Sequence, residues 1–212
     1  ERDIQDIEDL TIYETGKNLD FASIEETDKT IRDIAEKLNI AVGKGVCYTI
    51  DTSSQPHYVF QYEILVNGMP LAMFDGGSYS GDAYVPGTYM TAVVDADGIR
   101  HYDVSCVLEE LESGESKKVL TLDEALQAVD DKYNSVIMEG EYFIDDIQMA
   151  YTPIKTDDAG IVRLIPVWYF QTTHQILVPN RSGTGKVMLP QSGYILINAL
   201  DGTELLHSNG DI

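Results

Sequence analysis

The apolar positions of this chain fall first on a helical stripe and then in short β-rich runs, and the same order then returns. Ser23-Ile24-Glu25-Glu26 has the form of a capping box, and Ile31, Ile34, Ala35, Leu38 and Val42 follow it at spacings of 3, 1, 3 and 4. One apolar stripe at helical spacing predicts one helix, ending near Gly43 and Gly45. Val46 to Ile50 and His57 to Val66 are rich in β-branched and aromatic residues, and Asn67-Gly68 supplies a turn after the second. These read as two strands of a hairpin. A Gly-rich loop, Asp75 to Gly87, leads to Tyr89 to Val94, and Asp97-Gly98 turns the chain into Ile99 to Val104. The first unit is thus predicted as a helix followed by an antiparallel meander.

An acidic, polar junction at Glu109 to Lys118 precedes the second round. Thr121-Leu122-Asp123-Glu124 is again a capping box, and Leu122, Ala125, Leu126, Val129 and Tyr133 superimpose on the first stripe with an offset of 91. Strands are predicted at Glu141 to Tyr151, Val162 to Thr172, Gly193 to Ala199 and, after the Asp201-Gly202 turn, Thr203 to Leu206. That last hairpin stands 104 residues after its counterpart at 92–98, so the second unit carries 13 extra residues. The Asn, Gly, Ser and Pro content of Pro179 to Gly193 places them in a long exposed loop. Matching stripes, caps and hairpins predict a duplication: two tandem α+β units of the cystatin-like kind, each a helix with an antiparallel sheet. The expected boundaries are 23–108 and 109–212, with 1–22 a linker or edge segment that includes a β-like Leu10 to Tyr13.

The second unit resembles the PepSY-type module. The resemblance rests on Leu-Thr-Leu-Asp-Glu-Ala-Leu at 120–126, Leu-Ile-Pro-Val-Trp-Tyr-Phe at 164–170 and Ile-Leu-Ile-Asn-Ala-Leu-Asp-Gly at 195–202. It looks most like the version in the YycI and YycH accessory proteins and in uncharacterised lipoproteins of Gram-positive gut Clostridia. It covers about 85 residues, and the first unit lacks a Pro-x-Trp strand. The shared motifs are structural: Pro166 suits an edge or bulged position, Trp168 fills a sheet-to-helix core near Leu122, Ala125, Leu126 or Val129, and Asp201-Gly202 is turn chemistry. The resemblance implies a protein exported and tethered outside the cytoplasmic membrane by a lipid or a helix, with no catalytic residue carried over. Its relatives inhibit peptidases or regulate membrane kinases.

Composition narrows the partners. The 36 acidic and 14 basic residues of the 212 give a formal charge of −22, so phosphate-rich nucleic acid and anionic membrane surfaces are disfavoured. No apolar run approaches the roughly 18 to 20 residues of a membrane span. Membrane contact only through an anchor, and an extracytoplasmic, cell-surface localisation, are what the PepSY-type resemblance implies. Cys47 and Cys106 admit one disulfide or a buried pair of thiols.

Candidate chemistry is sparse. His57, His101, His174 and His207 show no metal-ligand spacing, so neither a metal nor a cofactor is expected. Gly77-Ser78-Tyr79-Ser80-Gly81 departs from the nucleophile elbow, and Cys47 and Cys106 do not form Cys-x-x-Cys. Asp95-Ala96-Asp97-Gly98 opens like a calcium loop but lacks a third ligand and a downstream Glu. What stands out is tyrosine: Tyr79, Tyr84 and Tyr89 recur every five residues among Gly, Ser and Pro, the chemistry of an adaptable binding loop. The expected function is a non-enzymatic, exported interaction module that binds protein or peptide, with basic partners favoured by charge. The alternatives are a peptidase inhibitor or intramolecular chaperone, and a secreted hydrolase using acidic pairs such as Glu109 with Glu110 or Asp145 with Asp146. Asp145 and Asp146 make a poor pair, because neighbours on a strand point to opposite faces.

Overall fold

Both capping boxes form. In the computed structural model, which describes residues 14–51, 55–72, 88–105, 108–109, 112, 114, 116–134, 142–158, 160–179 and 186–207, Ser23 caps α1 (Ile24–Lys37) and Thr121 caps α2 (Leu122–Tyr133). In each, the hydroxyl accepts the N–H of the third helical residue, and that residue's carboxylate reaches back to the cap. The first helix stops sooner than its apolar stripe predicts. Asn39 takes φ 58, Asn39 N–H donates to Glu36 O and Ile40 N–H to Ala35 O, a left-handed closing turn that asparagine tolerates. Leu38 is left 56% exposed, and Val42 begins the next strand.

The described residues group into two compact units, one ending at Glu109 and one following it. In the first, β1 (Glu14–Thr15), β2 (Val42–Ile50), β3 (His57–Val66), β5 (Tyr89–Asp95) and β6 (Gly98–Val104) form an antiparallel sheet in the order β1-β2-β3-β5-β6, with β4 (Met69–Pro70) beside β3. Alternate residues of β3, Tyr58, Phe60, Tyr62 and Ile64, are buried on the face that α1 covers with Ile31 and Ala35. Their rings form a file: Phe21 tilts on Tyr58, Tyr58 meets Phe60 edge-on, and Phe60 stacks on Tyr62 at 6.0 Å. Aromatic pairs of this kind add to plain area burial.

In the second unit β7 (Tyr142–Lys155), β8 (Val162–Pro179), β9 (Lys186–Asn198) and β10 (Glu204–His207) follow α2 as an antiparallel meander. Ala125 and Val129 of α2 pack on Phe170, Ile195 and Ile197. The opposite face is also buried at its centre, through Val167, Tyr169, Leu196 and Ala150. Trp168 packs against the α2 cluster, where its motif places it, but is half-buried where large burial is expected of it, and its indole N–H donates to Leu120 O at 3.0 Å. Pro166 stands one residue past the last β8–β9 pair, Val167 with Asn198; its carbonyl still accepts from Ala199 N–H, and the Ala199 carbonyl accepts instead from Leu120 N–H, so the N–H that proline lacks is not missed there.

The molecule is therefore α+β with antiparallel sheets. One expectation fails: the long loop at 179–193 is largely strand. β8 runs to Pro179 and β9 starts at Lys186, with Leu177 opposite Met188 and Gln175 opposite Pro190. Val187, Met188 and Leu189 continue the ladder, and so do Ser192 and Gly193, opposite Thr173 and Thr172.

Candidate interaction surface

Ladder register assigns each strand residue of the first unit to one face of the sheet. Gly45, Cys47, Tyr58, Phe60, Tyr62, Met90 and Ala92 share the α1 side. There Tyr62 donates its hydroxyl proton to Asp28, Arg32 lies 4.9 Å above the Tyr62 ring, and Arg32 pairs with Asp28 and with the Gly43 carbonyl. The space for that ring comes from glycine, since a Cβ on Gly45 would lie 2.6 Å from two of its carbons.

The other face carries two cross-strand rows. Val46, Gln61, Thr91 and Asp103 stand side by side in one, and Tyr48, Val59, Val93 and His101 in the next. None of these residues is fully buried, although their neighbours on the α1 side mostly are; Val46 is 46% exposed and His101 and Asp103 are exposed. One row is apolar in Tyr48, Val59 and Val93; the other is polar at its middle strands, in Gln61 and Thr91, with Val46 at one end and Asp103 at the other. Tyr89 opposes Glu63 at one end of the same face. A sheet face with an apolar row beside a polar one offers contact area to a partner and leaves the polar row to set orientation.

The tyrosine expectation meets this surface only through Tyr89. That residue is not in a loop: it opens β5, is half-buried, and its carbonyl accepts from Ser105. Tyr79 and Tyr84 lie outside the described residues, as do Cys106, Glu110 and the Leu10 to Tyr13 segment. The alternation on β3 sets Tyr58, Phe60, Tyr62 and Ile64 against His57, Val59, Gln61 and Glu63, so its buried face was legible; sequence reasoning missed the two rows because they depend on which residues of β2, β5 and β6 stand beside β3, a register that period two does not supply.

Other residues singled out in the sequence have local roles. Cys47 is a free, half-buried thiol; burial first and the Asp28 carboxylate second push it up to about 11, so it is a protonated thiol at neutral pH and a poor nucleophile. The Asp95 to Gly98 turn spends its carboxylates internally. Asp95 accepts from Asp97 N–H and from Arg100, and Asp97 also binds Arg100. Burial would raise the Asp95 carboxyl, but these donors outweigh it and hold it below its ordinary value. His57 starts β3 with its Nδ1 on Gln55 O, His101 is exposed on β6, and His174 stacks on Tyr142 at 4.6 Å, buried in β8. His207 closes β10. Among the described residues no three His, Cys, Asp or Glu side chains are gathered to hold a metal, and no helix is long and apolar enough to cross a membrane.

The chain matches no family model and no curated protein. Its fold is similar to the crystal structure of an uncharacterized protein from Eubacterium rectale ATCC 33656, with a TM-score of 0.74 and 21% identity over 92% of this chain. The chain spans 58% of the length of that protein. At this identity the likeness is one of fold.

Proposed function

We propose that this protein is a non-enzymatic interaction module, exported and held at the cell surface, that binds protein or peptide on the open face of its first sheet. The observation that carries the reading is the pair of rows Val46–Gln61–Thr91–Asp103 and Tyr48–Val59–Val93–His101, which leave the apolar Tyr48, Val59 and Val93 half open beside polar Gln61 and Thr91 on a sheet whose other face is packed. Tyr89 borders that face; Tyr79 and Tyr84 are the further binding residues proposed from the sequence. A charge of −22 draws cationic partners and makes their encounter depend on salt. The proposal includes descent of both units from one PepSY-like ancestor. In support, α1 is followed by β2, β3, β5 and β6, with the two-residue β4 beside β3 as an addition, and α2 by β7, β8, β9 and β10; both runs are antiparallel meanders whose last two strands join at an Asp-Gly turn. The cell-surface placement rests on the sequence resemblance.

Peptides selected from a random display library on the protein test the reading. They are expected to be rich in Lys and Arg and to lose at least about tenfold in affinity, a hot-spot-sized effect, when Val59→Glu or Thr91→Arg is introduced. A thermal melt checks that each variant is folded. Selected peptides that bind both variants, and a Tyr79, Tyr84 and Tyr89 to Ser triple variant, as tightly as the parent would remove this face and the tyrosines from consideration.

A further inference from the structure

The hairpin at the far end of β8 and β9 poses a separate question. Beyond the part of the sheet packed on α2, residues 175–179 pair with 186–190 as a ribbon that is two-stranded among the described residues. Leu177 is 54% exposed and Met188 directly opposite is 52% exposed. Phe143, 50% exposed, pairs with Thr173 and so lies on the same side of the sheet, nearer the ribbon's base. Three large apolar side chains thus share one open face.

Other sheet margins carry the usual guards against association. β7 has a register break at Ile144/Asp146 with two aspartates in it, β6 presents Arg100, His101 and Asp103, β2 has a break beside exposed Lys44, and β1, β4 and β10 are only two to four residues long. Such breaks, charges and short strands blunt unwanted pairing. The ribbon has no break and a single charge, Lys186. It also lies in the long stretch between Asp158 and Asp201 that contains no Asp or Glu, so it is a surface on which two copies of a −22 chain meet without opposing carboxylates.

We propose that the ribbon is a self-association surface whose occupant is a second copy of this chain, packed face to face about a two-fold axis. Two-fold packing requires a patch that complements itself, and this one does. Lys186 opposes Pro179 near the tip, on the Leu177 side of the ladder, while Asp145 accepts from Thr173 at the base. The rows of residues 173 and 179 are equally far from the row of residue 176. Turning the ribbon over about that midpoint sets Lys186 of each copy above Asp145 of the other and closes Leu177, Met188 and Phe143 between them. The rows span ~20 Å at the strand rise of ~3.3 Å per residue. Pro190 offers no N–H to an added strand, which favours contact through side chains over edge-to-edge pairing. This surface is separate from the open face of the first unit and stands or falls independently of peptide binding there.

Sedimentation velocity over a concentration series up to about 1 mM, which detects even millimolar dissociation constants, tests the proposal. A monomer–dimer equilibrium is expected. Leu177→Glu with Met188→Glu should weaken it by about tenfold or more, with an unchanged thermal melt. Lys186→Glu should weaken it as well, and adding Asp145→Lys to Lys186→Glu should restore it. A parent chain that stays monomeric throughout overturns the proposal. So does a dimer indifferent to the Leu177 and Met188 changes, and failure of the charge swap to restore association rejects the two-fold register.

Discussion

Cys47 lies on the face that α1 covers, and both burial and Asp28 oppose its thiolate, placing its pKa at about 11. Alkylation at this residue, followed by peptide mass spectrometry to separate it from Cys106, should therefore be slow at pH 7 and speed up only above about pH 10, unless the chain is unfolded. Rapid labelling of the folded protein at neutral pH would contradict the placement of this thiol. The sequence leaves both a disulfide and buried thiols open for the two cysteines, because spacing carries no distance between strands. Only the ladder, with Cys47 opposite Phe60, puts that side chain on the helix side. The Asp95 turn shows the same limit: its sequence excludes a complete calcium loop, but that Arg100 takes up both carboxylates depends on a hairpin geometry that no spacing rule supplies.

Elements were more legible than faces. Both helix starts follow from the hydroxyl-to-carboxylate spacing, and both closing hairpins from Asp-Gly, where Gly98 and Gly202 take φ 114 and 78. The end of α1 was misread because Leu38 and Val42 extend the stripe numerically, whereas Asn39 stops the backbone. The 179–193 segment was misread because its Gly, Ser and Pro content was weighed over the strand-forming Val187, Met188 and Leu189, which the partner strand at 176–178 takes into its ladder. Between α1 and β2 the packing rests on a missing side chain. Replacing Gly45 with Ala puts a methyl 2.6 Å from the Tyr62 ring, which Phe60, Arg32 and Asp28 already hold in place. A loss of about 1–3 kcal/mol is expected, the usual range for overpacking, measured by urea unfolding of Gly45→Ala. An unchanged midpoint would mean that the ring yields freely and that the file of aromatics is not rigid.

At the scale of the whole molecule, charge and pH act in opposite senses. Hydrogen bonds from Ser23 lower the Glu26 carboxyl, those from Thr121 lower Glu124, and those from Thr203 lower Asp201, while donors outweigh burial at Asp95. A carboxyl whose folded pKa lies below its unfolded value stabilises the fold fully above the ordinary range near pH ~4, and that stability is lost as pH falls through the folded value. The repulsion among 36 acidic residues has the other sign, easing as pH falls toward the pI of 4.2. The melting temperature should accordingly rise from pH 8 to about pH 5 and drop below about pH 4; a steady rise through pH 3 would mean that the caps and turns contribute little. Which unit fails first in such a titration is open to optical measurement. Trp168 is the chain's single tryptophan, and its indole is tied to Leu120 and seated on α2. Indole emission is thus a built-in probe of the second unit alone, while far-ultraviolet circular dichroism sums over both, and any gap between the two midpoints times the loss of one unit against the other.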